Sequence, residues 1–113
     1  MSIRIAIRTV RMGLANLRYW LPIIWRDRWW DREYIYRLLG HKFRRDAALY
    51  RASGHCEDAE VLAGQMETAA CLCGQLDAEE YEGATWMEWE AARATDTQTL
   101  FALLTAKIEG WWD

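Results

Sequence analysis

Residues 57–82 leave the chain the least choice of structure. Ala59, Leu62, Ala63, Met66, Ala69, Ala70, Cys73 and Leu76 return at steps of three and four. That is the repeat of one helix face, not of a strand. Glu57, Asp58 and Glu60 fall in the first turn, where the helix dipole favours acids. Half of the face is alanine, so a neighbouring helix can approach closely. A face of this kind needs other helices to cover it.

The rest of the chain supplies them. Before Pro22, Arg4, Arg8, Arg11 and Arg18 line one helix face, and Ile3, Ile7, Val10, Leu14 and Leu17 line another. Pro22 fits the first turn of a new helix or a kink. Asp27 can cap a helix running to about Arg51, with Trp30, Tyr34, Ile35, Leu38, Leu39, Phe43 and Ala47 inward and a Glu33–Arg37 pair at i,i+4. Ser53 and Gly54 end that segment. The stretch "EGATWMEWEAARAT" reads as a short helix or an ordered loop. After it, Thr95 and Gln98 form a capping box, or Asp96 a cap. The last helix then carries Leu100, Phe101, Leu104, Ile108 and Trp111 on one stripe. No segment reads as a sheet component. The expectation is one all-α domain over residues 1–113, a bundle of four to five helices.

Charge is divided along the chain. Residues 1–51 hold twelve basic against four acidic residues, and residues 52–113 hold two against thirteen. A basic half of this kind points to nucleic acid, nucleotide or membrane contact, or to packing on the acidic half. Eleven of its twelve basic residues are arginine, whose planar fork binds phosphate and stacks on aromatic rings.

The stretch "WRDRWWDREY" (residues 25–34) places Arg26, Arg28 and Arg32 among Trp25, Trp29 and Trp30. On a helix, Trp25 and Trp29 share a face and Trp30 points about 100° away. The indoles then either pack on both sides or stack on a base. The expected ligand site is Arg26, Arg28, Arg32, Trp25 and Trp29, extended by Arg4, Arg8 and Arg11. The basic first helix could also lie on an anionic membrane or pack against the bundle.

Other chemistry is thin. Cys71 and Cys73 are two apart and project about 200° apart on a helix, so they do not share a zinc ion. Cys73 reads as a small core residue. Three cysteines without a secretory signal fit a reducing, cytoplasmic setting. The longest early apolar run, "YWLPIIW", is too short to span a bilayer. Glu79, Glu80, Glu82, Glu88 and Glu90 are bunched without the repeated spacing of a Mg²⁺ site on facing helices. A Mg²⁺-dependent nucleotide hydrolase is therefore the weakest alternative. No P-loop, dinucleotide fingerprint or nucleophile elbow occurs. No cofactor, metal or catalytic residue is expected.

Taken with "DAEEY" at residues 77–81 and the terminal "LFALLTAKIEGWWD", the stretch "WRDRWWDREYIYRLLGHKFRR" resembles a family of small proteins encoded by tailed bacteriophages and prophages. Trp25, Asp27, Trp30, Asp31, Lys42, Tyr81, Trp111, Trp112 and Asp113 carry the resemblance. This chain departs from the pattern in Phe43 and Arg44 after the lysine and in a short segment between Tyr81 and Leu100. The family brings no activity with it. The resemblance implies phage origin and an accessory role in the host cytoplasm.

It also directs attention to Asp31. A partly buried Asp31 needs a donor, such as an arginine or the indole N–H of Trp111 or Trp112. The chain end is thus expected to dock on the opening stretch. The leading functional expectation is a self-associating, non-enzymatic protein that binds a phosphate-bearing ligand, such as a nucleotide signal of host defence or a nucleic acid. The alternative is an inhibitor or adaptor of a host protein.

Overall fold

The computed structural model describes residues 2–31, 33–54, 57–78 and 85–112. Four helices make up most of them: α1 (Ile3–Trp25), α2 (Tyr34–Ser53), α3 (Ala59–Ala78) and α4 (Trp86–Lys107), with a 3-10 turn at Ile108–Gly110. The described residues form no strand, so the all-α expectation holds. None of these helices is long and apolar enough to cross a membrane. Contacts divide the chain into residues 1–32 and residues 33–113.

The second unit is an α2–α3 hairpin joined by α4. All eight predicted α3 face residues lie at the core, seven of them buried and Leu62 packed at its edge. Phe43 and Ala47 of α2, with Leu100, Leu104 and Trp111, complete it. Small residues set the α2–α3 spacing. A Cβ at Gly40 would stand 3.2 Å from Cys73 Cβ and 3.6 Å from the Ala70 carbonyl. Arginines clamp the hairpin at both ends. Arg37 donates Nε and Nη2 to Asp77 at 3.0 and 3.1 Å. Arg51 donates Nε to Glu60 at 3.0 Å and also pairs with Glu67. The expected Glu33–Arg37 pair is replaced by these longer-range pairs: Glu33 binds Arg93 of α4.

Gly54, at φ 57°, ends α2 as expected. The α4 boundary is not where the sequence placed it. Thr85 is the cap, accepting from Glu88 N–H at 3.3 Å, while the Glu88 carboxylate accepts from Thr85 N–H at 3.1 Å. Thr95 and Asp96 lie inside the helix. The hydroxyls of Thr95, Thr97 and Thr99 donate to the carbonyls of Ala91, Arg93 and Thr95. This back-bonding satisfies polar side chains that otherwise favour caps.

The first unit is one long helix and a turn. Ser2 caps α1, accepting from Ile5 N–H at 3.3 Å. The helix runs through Pro22 to Trp25, so Pro22 neither starts a helix nor ends one. Its missing N–H leaves the Arg18 carbonyl without its usual donor. None of the α1 residues is buried. Residues 26–31 form turns, closed by Asp27 N–H to Ile24 O at 3.1 Å and Asp31 N–H to Arg28 O at 2.9 Å. Asp27 therefore does not cap α2. That helix begins at Tyr34 with Glu33 at the cap position and no side-chain cap bond.

Candidate functional site

Three of the four arginines of α1 share one surface, and Arg18 does not line it. Arg4, Arg8 and Arg11 line a shallow groove of about 260 Å³ with Ile7 and Met12. Residues 1–26 contain five arginines and no Asp or Glu, so this face has no acid of its own. Beside the arginines, Ile3, Ile7, Val10, Leu14, Leu17, Leu21 and Ile24 remain exposed along the helix.

The second part of the expected site is arranged differently from the prediction. Trp25 is the last residue of α1 and Trp29 lies in the following turn, so the two share no helix face. Trp30, expected in the core, is 67% exposed. It meets Trp29 edge-on, with ring centroids 5.7 Å apart. Trp25 and Trp29 are 80% and 90% exposed. Arg28 donates Nη1 to the Asp27 carbonyl at 3.0 Å, which ties it to its own turn. Arg26 caps the end of α1. Arg32 lies outside the described residues.

The terminal tryptophans dock within the second unit, on partners the sequence did not reveal. Trp111 is fully buried, edge-on to Phe43 at 5.4 Å, and donates Nε1 to Gln65 of α3 at 2.9 Å. Trp112 donates Nε1 to Asp46 of α2 at 2.8 Å. Their indole N–H groups are thus used on α2 and α3, not on Asp31. Asp46 also takes Lys42 Nζ at 3.1 Å, and Lys42 sits 5.9 Å from the Trp112 ring centroid. These residues, with Leu49, Tyr50 and Ser53, line a second concavity of about 370 Å³. The Tyr50 hydroxyl donates to the Trp111 carbonyl. Sequence reasoning missed Asp46 and Tyr50. The i,i+4 spacing of Lys42 and Asp46 was the available signal. Lys42, Trp111 and Trp112 thus have their side-chain nitrogens engaged within the second unit. The two polar side chains of this concavity with the strongest charge, Lys42 and Asp46, satisfy each other.

Nucleophiles and metals add little. Cys73 is buried, and loss of hydration pushes its thiol up to about 11. Hydrogen bonding to Asp77 holds the Arg37 guanidinium above its usual range. Cys56 lies outside the described residues, as do Glu79, Glu80, Tyr81, Glu82 and Asp113. Among the described residues, no cluster of His, Cys, Asp and Glu could hold a metal ion. No family model, curated protein or solved structure matches the chain.

Proposed function

We propose that the chain is a non-enzymatic accessory protein that binds a phosphate-bearing ligand through its basic first unit. One observation carries the reading: Arg4, Arg8 and Arg11 share a groove in a 26-residue stretch without a single acid. Guanidinium groups in that setting favour phosphate oxygens, which they can bind in pairs. Exposed Trp25, Trp29 and Trp30 at the end of the same unit offer faces for stacking. The resemblance to small phage and prophage proteins fits an accessory role.

The basic half divides between two tasks in this reading. In α2, Arg37 and Arg51 are engaged by acids of α3. The first unit keeps seven arginines against two aspartates. Titration of the full chain with cyclic and linear nucleotides, a single-stranded oligonucleotide and phospholipid vesicles tests the proposal. At least one probe is expected to bind, more weakly as salt rises, because released counterions drive such contacts. Binding should fall when Arg4, Arg8 and Arg11 are all changed to alanine. Silence from every probe, or binding indifferent to those arginines, overturns it.

A second reading, a protein that docks on a host factor, draws on the start of α4. There Trp86 and Met87 are 68% and 78% exposed, and Trp86 stacks on Trp89 at 5.3 Å. A host partner that survives moderate salt and is lost on Trp86→Ala would favour it.

A further inference from the structure

Resting on the phosphate reading, we propose that the ligand is the headgroup layer of an anionic membrane, with α1 lying along it. A polyanion in solution accounts for the arginines alone. It would leave Ile3, Ile7, Val10, Leu14, Leu17, Leu21 and Ile24 in water. A lipid surface covers both features, because it puts phosphate next to hydrocarbon.

The helix has the distribution this requires. At 100° per residue, Arg4, Arg8, Arg11 and Arg18 fall within a sector of about 80°. Outside it, α1 is apolar apart from Thr9 and Asn16. The Thr9 hydroxyl donates to the Ile5 carbonyl at 2.8 Å, so its hydrogen is satisfied without water. Tyr19, Trp20 and Trp25 cluster toward one end, and such aromatic rings settle at the headgroup boundary. Twenty-three residues give a rod about 34 Å long. With an arginine on nearly every turn of its first half, it lies on a bilayer instead of crossing it.

A second copy of the chain is the competing cover. The steps from Ile3 to Ile24 alternate between four and three, as in a coiled-coil seam. Such a pair would still leave Ile5 and Met12 in water. It would also bring two acid-free arginine stripes together. Charge therefore favours the anionic surface.

Flotation of the full chain with vesicles of phosphatidylcholine, with and without one-third phosphatidylglycerol, tests the proposal. Retention is expected to be at least about tenfold higher with the anionic lipid and to fall in high salt. The double variant Leu14→Asp, Leu17→Asp should abolish retention, with the thermal unfolding of residues 33–113 unchanged as the fold control. Equal retention on both vesicles overturns the proposal. So does a stable dimer that ignores vesicles. Binding of oligonucleotide or nucleotide without vesicles also overturns it but leaves the phosphate reading standing. If no probe binds, both fall.

Discussion

Two helices of this chain carry the same apolar rhythm and meet opposite fates. On α3, residues spaced by three and four form the core. On α1, residues with the same spacing stay exposed. The tryptophans repeat the contrast: Trp111 is fully buried, and Trp29 is 90% exposed. Periodicity says that a helix forms and which face is apolar. It does not say what covers that face. The difference lies in the residues alongside. The α3 stripe is alanine-rich, and its edge acids match the arginines of α2. The α1 stripe runs beside arginines alone.

The sharpest way to break this contrast is at the chain end. Trp111→Ala should destabilise the second unit by about 3–5 kcal/mol and lower its melting temperature by more than about 10 °C. It removes a fully buried indole, its edge contact with Phe43 and its bond to Gln65. A loss in thermal or urea unfolding as small as that of a surface residue would mean that Trp111 is not a core residue.

How much was legible follows the same division. The α3 face, the Gly54 stop and the α4 stripe through Leu100 and Leu104 came from local spacing and turn chemistry, which sequence reports directly. The start of α2 did not. Asp27 is a good capping residue, but capping preference is worth about 1 kcal/mol and does not fix where a helix begins. The Thr85–Glu88 box was overlooked for the same reason, since "TDTQ" offers an equally good local signal. Gln65, Asp46 and Glu33, the side-chain hydrogen-bond partners of Trp111, Trp112 and Arg93, are 46 to 66 residues away in sequence. No spacing rule reaches that far. Of the site, the convergence of Arg4, Arg8 and Arg11 was readable because it lies on one helix. The grouping of Trp25 with Trp29 failed because it assumed a helix where the chain turns.

The next largest effect belongs to the pair that closes the bundle. Arg93 binds Glu33, donates Nη1 to the Leu76 carbonyl at 2.9 Å and lies 5.6 Å from the Trp89 ring. Both side chains are mostly buried. Arg93→Ala should cost about 3 kcal/mol, because it removes an ion-pair partner of a mostly buried carboxylate together with the bond to the Leu76 carbonyl. Glu33→Ala should cost less, and the double variant less than the sum. Additive losses by urea denaturation would show that the two act separately.

A smaller effect separates two glycines, one from each unit. Gly40→Leu should cost about 1–3 kcal/mol, because α3 already stands against that position. Gly13 has open space around its would-be Cβ. Gly13→Leu should leave unfolding unchanged and raise helix content, since glycine disfavours a helix interior by about 1 kcal/mol. A destabilising Gly13→Leu would place a neighbour against that face of α1.

Thiol chemistry extends the comparison to single atoms within α3. Cys71 is exposed and Cys73 is buried. The folded chain holds the Cys73 thiol protonated toward about pH 11, above its unfolded range near 9. Stability from the neutral thiol is therefore full below about pH 9 and is lost as pH rises through about 11. In peptide mapping after alkylation at pH 8, Cys71 should label quickly and Cys73 only after unfolding. Equal rates would mean that α3 opens readily where the core is expected to be tightest.

The smallest predicted effect bears most on function. Trp25→Ala, Trp29→Ala and Trp30→Ala should each change stability by less than about 0.5 kcal/mol, as surface substitutions do. Large aromatic rings kept in water gain nothing for the fold, so a neutral result leaves their value to be found in contact with something else. Vesicle or nucleotide binding in the same three variants would then fall although the melting curve does not. If instead each variant unfolds as readily as Trp111→Ala, the indoles are packed within the protein. The contrast between these indoles and Trp111 would then vanish, and with it the stacking surface at the end of the basic unit, while the groove of Arg4, Arg8 and Arg11 would stand without it.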